Sequence, residues 1–182
     1  AGYGFEMFRS KLRERVYTVI LLTLMVPFAA LMIPLFMLMG QAGLLNTHIA
    51  IMLPMIASAF IIFYFRQASK AFPTELRDAA KVDGLKEWQI FFYIYVPVMR
   101  STYAAAFVIV FMLNWNNYLW PLIVLQSNDT KTITLVVSSL ASAYSPEYGT
   151  VMIGTILATL PTLLVFFAMQ RQFVQGMLGS VK

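Results

Sequence analysis

Four long apolar runs separated by short polar segments dominate the pattern of this chain. The runs cover residues 16–39, 49–65, 101–125 and 149–170, and they contain no Asp, Glu, Lys, Arg or His. A helix of about 20 apolar residues crosses the hydrocarbon core of a bilayer. Each run also contains proline, which is tolerated in membrane helices where neighbouring groups satisfy the freed carbonyl. The pattern therefore predicts an all-α fold, a polytopic transmembrane helical bundle with four spans.

The central polar segment, residues 73–97, interrupts this pattern most strongly. Its charged side chains are concentrated in its first half, namely Glu75, Arg77, Asp78, Lys81, Asp83, Lys86 and Glu87. Between two apolar spans, such a segment must lie in water or against another protein, because isolated charges are costly in lipid.

Helical spacing predicts a short helix at the start of the central polar segment, with a face of small side chains. That face comprises Leu76, Ala79, Ala80 and Asp83. Thr74 is its predicted N-cap, and the helix would end in a left-handed turn at Gly84. A second helix would begin near Lys86 and be anchored by Trp88, Phe91 and Phe92. The small face would allow close contact with a partner, although an ordinary solvated loop fits the same pattern.

Three amides and an aromatic ring lie together in the third run, at Asn114, Asn116, Asn117 and Tyr118. Amides in lipid are costly unless they face protein or water. At helical spacing Asn114 and Asn117 share a face, and Tyr118 follows Asn114 by four positions. Amides and aromatic rings suit a neutral polyol or sugar. The alternative is an aromatic belt at the outer interface, with the amides bonded between helices.

Composition and charge narrow the class of protein. Only 12% of the 182 residues are charged, against about 25% in soluble domains. All lysines and arginines except Lys131 fall on one side of the predicted spans, so the positive-inside rule places the central polar segment in the cytoplasm. The net charge of +5 thus indicates membrane orientation rather than nucleic-acid binding. With no cysteine and the single His48, no catalytic or metal site is predicted.

The central polar segment resembles a known motif. An Asp-Ala-Ala triplet at residues 78–80 is followed after three residues by Gly84, and an apolar stretch then ends in Pro97. This spacing is similar to the EAA loop of binding-protein-dependent ABC importer permeases, with Asp78 in place of the usual Glu. Residues 115–121 resemble the Trp-Asn-x-Tyr-Leu-Trp-Pro segment of carbohydrate-importer permeases, and the C-terminal tail resembles that of the maltose-type permease subunit.

The resemblance implies a multi-pass permease subunit of a type I ABC importer in the bacterial inner membrane, which is not itself an enzyme. Residues 1–182 would form one transmembrane permease domain, the C-terminal part of a longer permease, with residues 73–97 as its cytoplasmic coupling loop. The residues implied to contact the ATPase are Glu75, Asp78, Ala79, Ala80, Asp83 and Gly84.

The implied partners are the lipid bilayer, a second permease subunit, an extracytoplasmic solute-binding protein and an ABC ATPase dimer. ATP and Mg²⁺ would be bound by the ATPase, since this chain has no Walker A run. Closure of the ATPase dimer would drive alternating access, and the implied solute is a sugar. The predicted substrate pathway comprises Asn114, Asn116, Asn117 and Tyr118.

Three alternatives remain at this stage: a secondary transporter or channel that works without ATP, a membrane-embedded enzyme, and an importer of the same family for another solute, such as glycerol phosphate or polyamines. The apolar runs hold no Asp, Glu, Lys, Arg or His, which disfavours proton coupling, an embedded active site and a charged solute. We expect Gly84→Asp to leave the protein in the membrane but to uncouple it from ATP hydrolysis.

Overall fold

A computed structural model of the chain describes residues 1–142 and 147–178. Residues 179–182, the end of the tail compared above with the maltose-type permease, lie outside the described residues. No β-strand occurs among the described residues, which confirms the all-α prediction. The α-helices are α1 (Gly2–Met7), α2 (Lys11–Thr23), α3 (Phe28–Gln41), α4 (His48–Met52), α5 (Ala59–Ser69), α6 (Thr74–Val82), α7 (Glu87–Ile90), α8 (Val96–Val98), α9 (Arg100–Trp115), α10 (Leu119–Val124), α11 (Ile133–Ala141) and α12 (Tyr148–Leu178). A π-helical segment, Phe91–Tyr95, joins α7 to α8.

One helix is by itself long and apolar enough to cross a membrane, over Tyr148–Arg171 of α12. It coincides with the fourth predicted span. Three pairs of helices meet the same criterion only when both members are counted together across a short break: α2 with α3, α4 with α5, and the α7–α8 segment with α9. The described residues therefore hold one unbroken span, or up to four if each interrupted pair crosses as one.

A proline explains the first of these interruptions, and an asparagine follows a separate helix end at Trp115. Pro27 has an extended backbone (φ −65°, ψ 136°) and precedes α3 as its N-cap, so the first apolar run is divided into two helices. The prediction of one helix over residues 101–125 is wrong, because α9 ends at Trp115 and α10 is a separate helix. Asn116 donates its side-chain amide to the carbonyl of Met112, at 2.8 Å. Asparagine favours helix ends because its side chain competes for backbone hydrogen bonds.

The first compact unit comprises residues 1–23, 59–110 and 168–178 of the described chain. In this unit α1 lies against α5 where only glycine fits, since a Cβ on Gly2 would be 2.5 Å from the Cβ of Phe65. Beside this contact, Ser69 and Tyr95 place their buried hydroxyl oxygens 2.6 Å apart. The core around them contains Tyr3, Phe72, Tyr95 and Met99. Phe72, which precedes the central polar segment, and Tyr95, near its end, are therefore anchored in one aromatic core.

A buried arginine joins three helices of the first unit. The Arg66 side chain on α5 is only 9% exposed, and its Nε lies 3.3 Å from Oε2 of Glu6 on α1. Its Nη2 also binds Glu14 on α2, and the guanidinium lies over the Tyr17 ring, 4.0 Å from the ring centroid. Arg9 pairs with Glu6 from the more exposed side. Charges this buried are tolerated only when paired, so the network fixes α1 and α2 on α5.

The second compact unit comprises residues 24–58, 111–142 and 147–167 of the described chain. Its core contains Met39, Ala50, Trp120, Val124, Leu125 and Leu135. Trp120 is fully buried and donates its indole N–H to the carbonyl of Ala50 at 2.9 Å. A Cβ on Gly154 would lie 3.1 Å from Cγ2 of Val137, so α12 packs closely on α11. Trp115 donates its indole N–H to the carbonyl of Ala158 at 2.9 Å, which fixes the end of α9 on α12.

Candidate coupling surface and solute cavity

The α6–α7 hairpin consists of α6, the turn at residues 83–86, and α7. Its turn follows the Schellman pattern of a helix end: Leu85 N–H donates to the Ala80 carbonyl and Gly84 N–H to the Lys81 carbonyl, both at 3.0 Å. Gly84 has φ +81°, a left-handed conformation that glycine adopts without a steric penalty. The predicted glycine turn is therefore confirmed.

The outer side of the hairpin carries five of the six residues predicted to contact an ATPase. Exposed to solvent are Glu75, Asp78, Ala79, Asp83 and Gly84. Ala80 is different, since only 4% of it is exposed and it packs inward. The predicted face of small residues is thus divided between the inner and outer sides of α6.

Two local predictions at this hairpin are wrong. The N-cap of α6 is Pro73 rather than Thr74, with no side-chain cap hydrogen bond, because proline's extended backbone already halts the helix in the N-terminal direction. Of the three aromatic anchors, Phe91 packs against the aromatic core, whereas Trp88 and Phe92 are 56% and 60% exposed. The hairpin therefore presents large apolar side chains on its surface.

An ion-pair clamp that the sequence analysis did not identify closes the hairpin. Glu87, at the start of α7, accepts from Arg77 at 2.6 and 3.3 Å, and Lys81 Nζ lies 3.0 Å from the same carboxylate. Arg77 and Lys81 are one turn apart on α6, so both reach the same acid. The sequence contains a signal for this clamp. Two cations four positions apart precede the glycine turn, and an acidic residue follows it.

The clamp also contacts Phe8, the residue that follows α1. The guanidinium of Arg77 lies over the ring of Phe8, 4.9 Å from its centroid. Partial burial disfavours the charged form of Arg77, but hydrogen bonds to Glu87 outweigh it, and the pKa of Arg77 is raised above its ordinary value. Arg77 thus stays charged at every physiological pH, and the hairpin is held as a fixed projection from the first unit.

We expect Glu87→Gln to loosen the hairpin. It would weaken the two charged contacts and destabilise the turn by about 1 kcal/mol, so amide exchange at Gly84 and Leu85 should accelerate about fivefold. Hydrogen-exchange mass spectrometry of the full-length protein in detergent measures this directly. Asp78→Asn is the matched control, because Asp78 is exposed and forms no ion pair within the part of the chain that the structure describes. Equal exchange in both variants would contradict the clamp.

An open cavity of about 440 Å³ lies within the second unit. Its walls come from the segment between α9 and α10, from α11 and from α12. The side chains with hydrogen-bonding groups on these walls are Asn116, Tyr118, Thr134, Ser138, Thr155, Thr159 and Thr162. The cavity has the volume of an ordinary small-molecule site.

Only two of the four predicted pathway residues, Asn116 and Tyr118, line this cavity. Asn114 and Asn117 do not, because α9 ends at Trp115 and the helical spacing that was expected to align them does not continue. The backbone carbonyl of Asn117 still accepts a hydrogen bond from Thr134, at 3.4 Å.

The hydroxyl-bearing residues of α11 and α12 were missed by the sequence analysis. Thr134 and Ser138 are four positions apart on α11, and Thr155 and Thr159 are four apart on α12. Each pair therefore shares a face. Threonines are common in apolar helices and do not by themselves indicate a binding site. Only their spacing of four positions indicates that their hydroxyls line one face of the helix.

A sequence model of one protein family matches residues 1–179 of this chain. The family is described as the binding-protein-dependent transport system inner membrane component. The chain belongs to this family. The resemblance first drawn from the Asp-Ala-Ala…Gly…Pro spacing is thereby confirmed.

Curated members of the family resemble the whole of this chain. The arabinooligosaccharides transport system permease protein AraQ of Halalkalibacterium halodurans is 38% identical over 182 residues, and that of Bacillus subtilis is 36% identical. The sn-glycerol-3-phosphate transport system permease protein UgpE of Pectobacterium atrosepticum is 34% identical over 184 residues. Each alignment covers 100% of this chain but only 65% of either AraQ protein and 66% of UgpE.

A solved structure shares the fold of this family member. A chain from the crystal structure of a bacterial ABC transporter involved in the import of the acidic polysaccharide alginate superposes with a TM-score of 0.79. The match covers 94% of this chain and 66% of that chain, at 22% identity. The two chains therefore share one helical fold.

Proposed function

We propose that this protein is a permease subunit of an ATP-driven importer in the bacterial cytoplasmic membrane, and that its solute is a neutral sugar. Family membership over residues 1–179 supports the importer assignment. The relatives named for arabinooligosaccharide transport, at 38% and 36% identity, support a carbohydrate solute.

The α6–α7 hairpin is the observation that supports a role in coupling to ATP hydrolysis, because it is held rigidly and its predicted contact residues are exposed. Its exposed residues around Gly84 would seat in a cleft of an ABC ATPase dimer, which would bind ATP and Mg²⁺ in place of this chain. The Glu87 clamp on Arg77 and Lys81 makes the hairpin stiff enough to transmit a displacement. ATPase closure would move the hairpin, and through α7 and the π-helical segment it would move α9, a helix of the third predicted span.

The remaining partners follow from the same assignment. A second permease subunit would complete the pathway, and an extracytoplasmic binding protein would deliver the solute. The cations that surround the central polar segment, such as Arg66, Lys70 and Arg100, support a cytoplasmic position for the hairpin under the positive-inside rule.

A second candidate solute is glycerol phosphate, because a relative named for its transport is 34% identical to this chain. The described lining of the cavity contains no charged side chain. A phosphate group would need arginine, lysine or a comparable donor set to replace its hydration. This favours the neutral sugar.

Purification of the full-length protein from its native membrane in mild detergent tests the proposal. We expect a Walker-motif ATPase and a second permease to accompany it, as identified by mass spectrometry, and sugar uptake in proteoliposomes to require ATP and a binding protein. A protein that purifies alone and transports without ATP would instead be a secondary transporter.

A further inference from the structure

We propose that the 440 Å³ cavity of the second unit contacts the transported solute directly and accepts only uncharged, polyhydroxylated molecules. This inference rests on the proposed import function and adds a binding site to it. The residues that carry it are Asn116, Tyr118, Thr134, Ser138, Thr155 and Thr159.

The threonines of α12 present hydrogen-bond acceptors to the cavity. Thr155 donates its hydroxyl hydrogen to the Val151 carbonyl and Thr159 donates to the Thr155 carbonyl, both at 2.8 Å. A hydroxyl has one hydrogen and two lone pairs. Each donor is thus satisfied within the helix, while the oxygen remains able to accept a hydrogen bond from a solute hydroxyl.

The opposite wall supplies a donor and an aromatic surface. Ser138 donates to the Tyr118 phenol oxygen at 3.3 Å, so the phenol hydrogen of Tyr118 is directed elsewhere. Tyr118 is 40% exposed, which leaves part of its ring open to stacking. A sugar offers what these walls complement, namely hydroxyls that donate and accept, and an apolar C–H face.

The walls also discriminate by charge. Among the described residues that line the cavity, Asp, Glu, Lys, Arg and His are absent. An anionic group entering it would lose hydration without gaining a cationic partner, which costs far more than loss of one neutral hydrogen bond. The cavity should therefore bind a neutral oligosaccharide and disfavour the binding of a phosphorylated solute.

Another occupant has to be distinguished from a solute, since polar uncharged side chains also bond helices together in membranes. A helix of the second permease subunit would satisfy the same groups. The two occupants differ in consequence: removal of hydroxyls would impair solute uptake in one case and subunit assembly in the other.

The test is uptake by the complete importer, with its ATPase, second permease and binding protein, in proteoliposomes. The probes are arabinotriose, maltotriose and glycerol 3-phosphate. The double variant Thr155→Val/Thr159→Val keeps the side-chain shape and removes both acceptors. We expect it to retain its partner subunits and to take up the transported trisaccharide about tenfold more slowly, as the loss of two neutral hydrogen bonds implies.

Two serine variants on α11 distinguish an effect on the cavity from a general effect of removing a hydroxyl from this helix. Ser138→Ala removes a hydroxyl that lines the cavity, whereas Ser139→Ala removes an exposed hydroxyl one residue away that does not. We expect slower uptake only for Ser138→Ala. Equal uptake by both serine variants and by the threonine double variant would overturn the inference while leaving the import function intact.

The other outcomes also decide the matter. Loss of the second permease from the threonine double variant would assign the cavity to subunit packing and overturn solute contact. Wild-type uptake of glycerol 3-phosphate instead of either trisaccharide would overturn the selection by charge. A wild-type protein that transports without ATP would contradict the proposed importer function itself.

Discussion

Gly84→Asp should abolish ATP-driven uptake while leaving the protein folded in the membrane. Aspartate is among the less disfavoured residues at the φ of +81° observed here, and beyond the adjacent residues no described atom lies within 4 Å of a Cβ built on Gly84. The substitution therefore adds about 1–2 kcal/mol of local backbone strain, but its side chain has room inside the protein. Its carboxylate would instead project from the hairpin into the proposed ATPase cleft, where an unpaired buried charge costs several kcal/mol.

We expect this variant to bind its ATPase about 100-fold more weakly, as loss of roughly 3 kcal/mol at an interface implies. Co-purification at several protein concentrations measures the change in affinity. Gly84→Asn introduces a side chain of the same shape without the charge, so it separates the effect of volume from that of charge.

Gly43 provides a matched control elsewhere in the chain. It has φ +67°, and beyond the adjacent residues no described atom lies within 4 Å of a Cβ built at that position. Its turn has the same two hydrogen bonds, from Gly43 N–H to the Gly40 carbonyl and from Leu44 N–H to the Met39 carbonyl. Gly43→Asp therefore imposes the same local strain away from the hairpin. If Gly43→Asp and Gly84→Asp weaken ATPase binding equally, the cause is impaired folding. The proposal that the α6–α7 hairpin contacts the ATPase would then be wrong.

Local chemistry explains which parts of the fold were predictable from sequence. Gly84 after a short amphipathic helix specifies a left-handed turn, and that turn is present. Long runs without charge specify helices, and α12 follows its run closely. In both cases neighbouring residues determine the structure, so a single sequence contains the information.

The ion-pair clamp, the position of the amides and the cavity could not be predicted in this way. They depend on residues that are distant in sequence, or on a helix end that the hydrophobic periodicity does not show. The Glu87 clamp forms only because the Gly84 turn folds α7 back on α6, ten residues from Arg77. Asn114 and Asn117 were aligned on the assumption that α9 continues, and Asn116 ends it. The cavity needs α11 to pack on α12, a contact indicated in the sequence only by the absence of a side-chain carbon at Gly154.

Arg66→Met should produce the largest loss of stability. Its removal leaves Glu6, whose side chain is 6% exposed, without its buried partner and leaves Glu14 without its contact to α5. Breaking one side of a buried ion pair costs about 3–5 kcal/mol. Arg9, which also pairs with Glu6, would offset part of this cost, so we expect about 3 kcal/mol and a fall of about 10 °C in the thermal midpoint.

Thermal unfolding in detergent, followed by Trp fluorescence or light scattering, measures this fall. Arg9→Gln is the control, because the Arg9 side chain is 63% exposed and an exposed pair contributes at most about 1 kcal/mol. The double variant Glu6→Gln/Arg66→Met tests the cause: it removes the stranded carboxylate and should recover part of the lost stability. The two residues are not coupled if adding Glu6→Gln to Arg66→Met lowers the stability as much as Glu6→Gln does in the wild-type protein. In that case the Gly2 contact and the aromatic core hold α1 on α5 instead.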